Sequence, residues 1–376
     1  MRVFTIYATN FLLAAALGVV FVFFEDVQTI YGLSDLQVGL IAGSGFGASF
    51  VVQLALAPFA DRGQTAKLAV LALVTGVIGL IGFGFGNTVL ILAISRALGG
   101  VGLGLFTLLA RKALLGVDAA GGGAKLGILL SSGVGGFIVG PLIGATLEPL
   151  GFETPFIVMS VVLVLVGVPA TRAIMNSKVA TSPSVDYSDM GKLLRRPKVQ
   201  AALMVQVIIF GFIGIFNSSI DRFLTDLGAS TGMVAFVVLV VGAPLVVLPR
   251  FAGRLAERLG GATVMIPALL IFIPAMFGYG LAPTVWVAML AGLLHGSGES
   301  FASIAAQVLV LEVTGAERAA VGSALLDAAG LIAATITAFL APLIYGSVGK
   351  TMFLFAGVGG LVLGVMARVR VRSAWD

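Results

Sequence analysis

His295 and Glu299 sit four residues apart in an otherwise apolar stretch. On a helix, residues at i and i+4 share a face, so this imidazole and carboxyl can hold one proton between them or pass it on. Ser303 and Gln307 continue that face. Low-dielectric surroundings favour the neutral form of a carboxyl, which suits a group that must take up and release a proton. The plainer use of the pair is a His–Glu hydrogen bond that ties two helices together. Asp327, about two helical turns into the next apolar stretch, is a rival proton site or a residue hydrated from a vestibule. Arg96 is a lone base inside another apolar stretch. A charge at mid-membrane costs roughly 2.5–3.5 kcal/mol on insertion scales, so Arg96 either faces a protein interior or snorkels to the edge. Asn10, Gln53, Gln206 and Asn217 are uncharged polar points that line a cavity or bond between helices. Glu25, Asp26 and Asp221 fall at the ends of apolar stretches, where solvation is the expectation. Tyr279 and Trp286 read as interfacial anchors.

The elements that must position these residues are membrane helices. Hydrophobic residues make up 59% of the chain and charged residues 10%, against roughly 45–50% and about 25% in soluble proteins. A folded core cannot absorb that excess. A span needs about 20 mainly apolar residues, and Leu68–Gly86 runs without a single charge. With no cysteine and one histidine, disulfides, thiolate chemistry and Cys- or multi-His metal sites are excluded. No phosphate loop, nucleophile–base pattern or sensory domain is present, so no cofactor is expected and the chain reads as a non-enzyme. The net charge of +5 would suggest nucleic acid in a soluble protein. Here it reflects the Lys and Arg that gather in cytoplasmic loops, and no nucleic-acid partner is expected. The N-terminal stretch has no convincing cleavage site and is read as a retained first helix.

Breaks at charges and Gly/Pro clusters give spans near 3–24, 36–59, 67–86, 88–110, 125–148 and 154–174. A second set lies near 199–221, 231–250, 262–282, 284–311, 320–346 and 350–367. The expected fold is an all-α integral membrane protein of twelve transmembrane helices in two pseudo-symmetric six-helix bundles, 1–174 and 199–376. Residues 175–198, rich in Ser, Lys and Arg, read as a hydrated cytoplasmic linker rather than a folded unit. With the N-terminus cytoplasmic, 19 of the 22 basic residues lie inside and only Arg96, Arg222 and Lys350 do not; both termini are therefore expected on the cytoplasmic side of the cell (inner) membrane. A shift of 196 residues sets Ala60-Asp61-Arg62 on Ala256-Glu257-Arg258, Glu25 on Asp221, Gly32 on Gly228 and Ser34 on Ser230. That common offset indicates a six-plus-six duplication, the basis of alternating access about a midplane site.

Three local patterns resemble the major facilitator superfamily. Between spans 2 and 3, Ala57-Pro58-Phe59-Ala60-Asp61-Arg62 resembles its cytoplasmic Gly-x-Leu-Ala-Asp-Arg loop, with Ala57 and Gln64 as departures. The second-half counterpart, Gly253-Arg254-Leu255-Ala256-Glu257-Arg258-Leu259-Gly260, is closer. The resemblance implies a conformational latch: Asp61 facing the start of span 11 near Arg318–Val321, with Arg62 and Arg111 beside it and Glu257 and Arg258 as the repeat. The plainer reading is a solvated turn obeying the positive-inside bias. In span 4, Arg96 followed by Gly99, Gly100, Gly102 and Gly104 is similar to the superfamily motif whose arginine takes part in proton coupling. In span 5, the spacing of Gly127, Gly136, Gly140-Pro141 and Gly144 matches the antiporter motif, with Ala145 in place of its last glycine. The resemblance there is to the drug:proton antiporter branch, and it implies a tight, bent seam that favours exchange over symport.

These readings give the expected function: secondary active efflux of a small amphipathic solute or drug by proton antiport, the protein acting as a monomer in the bilayer. A proton-coupled uptake symporter for a small metabolite or sugar is the alternative, and a membrane receptor or enzyme the third. Glu299, His295, Asp327, Arg96, Asn10, Gln53 and Asn217 are the candidate proton and cavity residues. The topology is testable by itself. Cysteines introduced at Ser182 and Ser347 should label from opposite sides of an oriented membrane, and labelling from one side only would overturn the span count.

Overall fold

The computed structural model of the chain describes residues 2–61, 64–117, 122–176 and 187–372, and all regular structure among them is helical. Span 1 comprises Arg2–Gly18, a 3-10 stretch Val19–Phe23 and Phe24–Tyr31. Spans 2 to 6 are Asp35–Asp61, Thr65–Phe85, Val89–Val117, Gly122–Leu147 with the turn Glu148–Leu150, and Thr154–Met175. Span 7 is Pro197–Asp226; span 8 is Thr231–Val247, bent by 42° into Pro249–Leu259. Span 9 is Gly261–Leu281, and span 12 is Met352–Arg372. The helix Val285–Val348 is continuous by hydrogen bonding but breaks at Gly315 (φ 69°, ψ 173°), giving spans 10 and 11. Ten described stretches, the bent pair counted as one, are long and apolar enough to cross a membrane. The last of them, Val321–Arg372, holds both span 11 and span 12, turned at Gly349. Span 10 falls outside that set because its His, Glu, Ser and Gln dilute the apolar run. The twelve-helix architecture is the one expected.

Three readings change. Spans 1 and 7 continue helically to Tyr31 and Asp226, so Asp221 is not a hydrated helix end but a buried residue, 5% exposed, inside span 7. The segment 175–198 is not all linker: Tyr187–Leu194 forms a helix, with Leu193 buried. Two leucines at its end supply an apolar edge that a count of Ser, Lys and Arg conceals. Finally, Tyr279 is fully buried rather than interfacial. Trp286 is 56% exposed.

The chain forms two compact units, Met1–Pro183 with Thr231–Ala235, and Ser184–Ser230 with Phe236–Asp376. Within each, the packing repeats at the offset seen in the sequence. Gly32 and Gly228 both take positive φ, 61° and 86°, a conformation cheap only for glycine. The same cap hydrogen bond follows each, Leu33 N–H to Gln28 and Ala229 N–H to Leu224, both 2.9 Å. A Cβ on Gly100 would strike the carbonyl of Gly45, and one on Gly296 that of Val241. Gly102 meets Gly76 in the same way as Gly298 meets Phe272. Spans 2 and 4 of the first unit thus touch as spans 8 and 10 do in the second, and spans 3 and 4 as 9 and 10. Small residues let helix backbones approach closely where lipid supplies no hydrophobic drive.

The glycine face of span 5 packs on span 1, inside the first unit. A Cβ on Gly136 would collide with the carbonyl of Phe11, and one on Gly140 with Ala15 O, Val19 N and Gly18 C. Gly144 lies against Val19, Val22 and Phe23. Pro141 cannot donate to the carbonyl four residues before it; that residue is Phe137, whose carbonyl packs on Gly18. Gly127 belongs to the helix Gly122–Leu147, but its packing lies outside the described residues. Backbone atoms cannot yield as a flexible side chain does, and overpacking typically costs about 1–3 kcal/mol. Gly140→Ala should therefore lower the thermal midpoint by several degrees and Gly140→Leu should abolish exchange. Gly359→Ala, where a Cβ meets nothing within 4 Å, should leave stability equal or improved. Wild-type exchange by Gly140→Leu would show the seam to be dispensable.

Candidate functional site

In the second unit, three polar side chains are joined inside an aromatic box. His295 is 3% exposed, and its Nδ1 lies 3.2 Å from the hydroxyl of Tyr279. Its Nε2 lies 3.2 Å from Glu299 Oε2 across one turn of span 10. That second approach is off the hydrogen-bond direction, since Nε2 forms no hydrogen bond; it is an electrostatic contact poised beside a bond. The Glu299 side chain is 12% exposed. Around the imidazole stand Phe212 and Phe216 of span 7, at ring separations of 4.9 and 5.2 Å, and Phe272 of span 9 at 5.3 Å. All meet it edge-on, the arrangement aromatic quadrupoles favour.

Tyr279 decides how the proton sits. Its hydroxyl has no hydrogen-bond partner but His295 among the described residues. A buried phenol that accepted from Nδ1–H would leave its own O–H without an acceptor, a loss of about 1–3 kcal/mol. The favoured arrangement has Tyr279 donating to Nδ1, so that Nε2, the ring nitrogen nearer Glu299, carries the imidazole proton. The i, i+4 spacing made the His–Glu pair legible in the sequence. Tyr279 was not, because a tyrosine near a span end reads as an anchor until its neighbours are known.

In the first unit Arg96 is 3% exposed and does not snorkel. Its Nη1 donates to the carbonyl of Leu17, just before span 1 passes from α to 3-10 helix. The guanidinium lies over the rings of Phe21 and Phe24, 5.0 and 5.9 Å from their centroids. Its Nε has no hydrogen-bond partner among the described residues. A cavity of about 10 Å³ beside it, bordered by Leu17, Val20, Phe83, Ser95 and Gly99, has room for about one water and no solute. Asn10 is a helix-bonding residue: its Nδ2 donates to Leu129 O at 3.0 Å and Ser132 Oγ at 3.1 Å, and its Oδ1 accepts from Thr107 at 2.9 Å. Spans 1, 4 and 5 are joined through that one amide.

The remaining candidates are dispersed. Gln53 donates to Ser49 on its own helix at 3.2 Å. Gln206 and Asn217 are buried in span 7, each with one side-chain atom lacking a hydrogen-bond partner. Asp327 is half-buried in span 11. Of the latch residues, Arg62 and the side chains of Asp61 and Arg318 lie outside the described residues; Arg111 is half-buried in span 4. Glu257 and Arg258 are exposed on Pro249–Leu259.

The comparisons with known proteins agree with this architecture. A family model described as Major Facilitator Superfamily matches residues 6–221 and 202–374. The multidrug resistance protein MdtG of Proteus mirabilis (strain HI4320) is 26% identical over 319 residues, covering 80% of this chain and 78% of that protein. MdtG of Enterobacter lignolyticus (strain SCF1) is 27% identical over 201 residues, 50% of this chain and 47% of that protein. In fold, the chain is similar to a bacterial homolog of the human lysosomal transporter Spinster, with TM-score 0.82 at 16% identity, covering 100% of this chain and 97% of that one. It is similar also to a D-xylose-proton symporter, with TM-score 0.79 at 16% identity, covering 97% and 96%. Family matches that take in both halves, on a duplicated twelve-helix membrane fold, mean that the chain belongs to the Major Facilitator Superfamily of membrane transporters.

Proposed function

We propose that this chain is a proton-coupled antiporter that exports a small amphipathic solute, with Glu299 as the carrier of the coupling proton and His295 as its partner. The observation that carries this reading is the Tyr279–His295–Glu299 series: one phenol–imidazole hydrogen bond orients His295, whose other ring nitrogen lies 3.2 Å from a carboxyl group that retains a little access. When Glu299 is charged, the imidazole N–H stabilises it. When Glu299 takes a proton, that attraction falls away and the neutral acid sits at low cost in its apolar surroundings. A cationic solute and a proton that compete for one carboxylate give exchange without further machinery, because each binds only after the other leaves. The multidrug resistance relatives support drug-like solutes as cargo. The span-5 glycine seam against span 1 supports exchange rather than symport. Arg96 tunes the first unit, and Asp61 with its neighbours latches the transport cycle at the cytoplasmic end. The cell membrane, with both termini cytoplasmic, is the site of action.

Purified protein in proteoliposomes under an imposed pH gradient tests the assignment. One pH unit is worth ~1.4 kcal/mol per proton, or about tenfold accumulation for one-for-one exchange. Wild type should approach that ratio for a lipophilic cation. Glu299→Gln should still exchange solute but bring the ratio to about one, with most of the pH dependence of its rate lost. His295→Asn should shift that dependence rather than erase it, and Tyr279→Phe should shift it the same way, since the imidazole tautomer is then no longer held. Uphill transport by Glu299→Gln with an unchanged pH profile, together with its loss in Asp327→Asn, would move the proton site to span 11. Accumulation of solute in the same direction as proton flow would instead identify a symporter.

A further inference from the structure

The helix Pro249–Leu259 divides into three faces. Ala252 and Ala256 are fully buried, and Gly253 faces Ile304 of span 10, so this side packs on protein. Phe251, Leu255 and Leu259, each four residues from the next, are 45%, 40% and 55% exposed. Arg250, Arg254 and Arg258 form a parallel series one residue earlier, and all three are exposed. At 3.6 residues per turn, the arginine series and the apolar series lie side by side around the helix, and the buried alanines complete the circle. Glu257 is the only acid in the segment. Arg254 and Arg258 hold no ion pair with any described residue, and the Arg250 guanidinium lies 4.9 Å from the centroid of the Phe251 ring, bridging the two exposed series.

The helix leaves the course of span 8 by a 42° bend, at the end of the span where the sequence gathers its bases. Facing water, the helix would leave three large apolar side chains unburied. A bilayer accounts for all three faces at once: protein behind, acyl chains against the apolar series, and headgroups above the arginines, as in helices that lie in a membrane interface. We infer that Pro249–Leu259 binds anionic phospholipid headgroups in the leaflet on the Arg-rich side, with Arg250, Arg254 and Arg258 holding the phosphates. Guanidinium groups grip phosphate through two parallel N–H donors where an ammonium offers a point charge. The site is independent of the proton-coupling reading. It gives Arg258 a partner in the membrane besides any role it has in a latch.

Full-length protein in vesicles of phosphatidylcholine and phosphatidylglycerol provides the test. With Phe251→Trp as reporter, brominated phosphatidylglycerol should quench the new fluorescence more strongly than brominated phosphatidylcholine at equal mole fraction. Equal quenching would overturn the proposal without need of any arginine variant. By native mass spectrometry of the protein released from the same vesicles, R250Q/R254Q/R258Q should retain about tenfold less phosphatidylglycerol than wild type, since each base near an anionic surface adds appreciable attraction. The corresponding lysine triple variant should retain an intermediate amount. R368Q/R370Q, which removes two bases from the end of span 12, should leave retention unchanged; an equal loss there would reduce the effect to bulk charge and refute a site. Displacement of the lipid by inorganic phosphate at low millimolar concentration would identify a free-phosphate site instead and likewise overturn the assignment.

Discussion

Hydrocarbon offers no hydrogen bonds, so each backbone polar group in a span must be satisfied within the protein. Helices do this everywhere except at their ends, where four donors or four acceptors are left over. In this chain, charged side chains from elsewhere in the fold supply three of the missing partners. Glu312 of span 10 accepts from the Gly261 N–H at the start of span 9, at 2.9 Å. Lys350 donates to the Ala282 carbonyl at the other end of that helix, at 2.8 Å. Arg196 donates to the Val313 carbonyl at the end of span 10, at 2.7 Å. Each sign agrees with the helix dipole, acid at the N-terminus and base at the C-terminus. Few charges exist in the chain, and three of them finish helix ends in this way.

The same constraint explains the interior. A polar side chain away from water is tolerated when its partners are built in, which is why Asn10 reaches three groups on two neighbouring helices. Interhelical bonds of this kind average about 0.6 kcal/mol, so their main effect is to fix which helices meet. Arg96 is held differently, by one carbonyl and two aromatic faces. Aromatic rings can hold a desolvated guanidinium without a carboxylate that would neutralise it.

Duplication built the scaffold, but not its chemistry. Glycines repeat at the 196-residue offset and press on equivalent backbones in both units. The candidate coupling residues do not follow. Arg96 corresponds to Gly292, a residue that packs against Val241 and the Tyr279 hydroxyl, while His295 and Glu299 correspond to Gly99 and Leu103. Packing requires the same small residues wherever two helices approach to backbone contact. A coupling group, by contrast, needs only one copy, and a second buried charge would add its own desolvation cost.

The sequence by itself determined the membrane class, the number of spans, the repeat and the sharing of one helix face by His295 and Glu299. All of these follow from short-range rules: apolar run length, a fixed offset, and 3.6 residues per turn. It could not determine what lies across from a face. Tyr279 and His295 are on different helices, and the bond between them exists only because span 9 packs on span 10. For the same reason the residue type of Asn10 does not separate a cavity-lining role from a helix-bonding one, and the tertiary structure makes it helix-bonding. Asp221 was read as a hydrated end because a charge interrupts an apolar run, whereas burial of the last turns of span 7 depends on neighbouring helices. The three faces of Pro249–Leu259 were present in the order of its residues. That the alanines point to protein and the phenylalanine and leucines away from it was decided by packing, since a helix with two apolar sides has no local reason to choose between them.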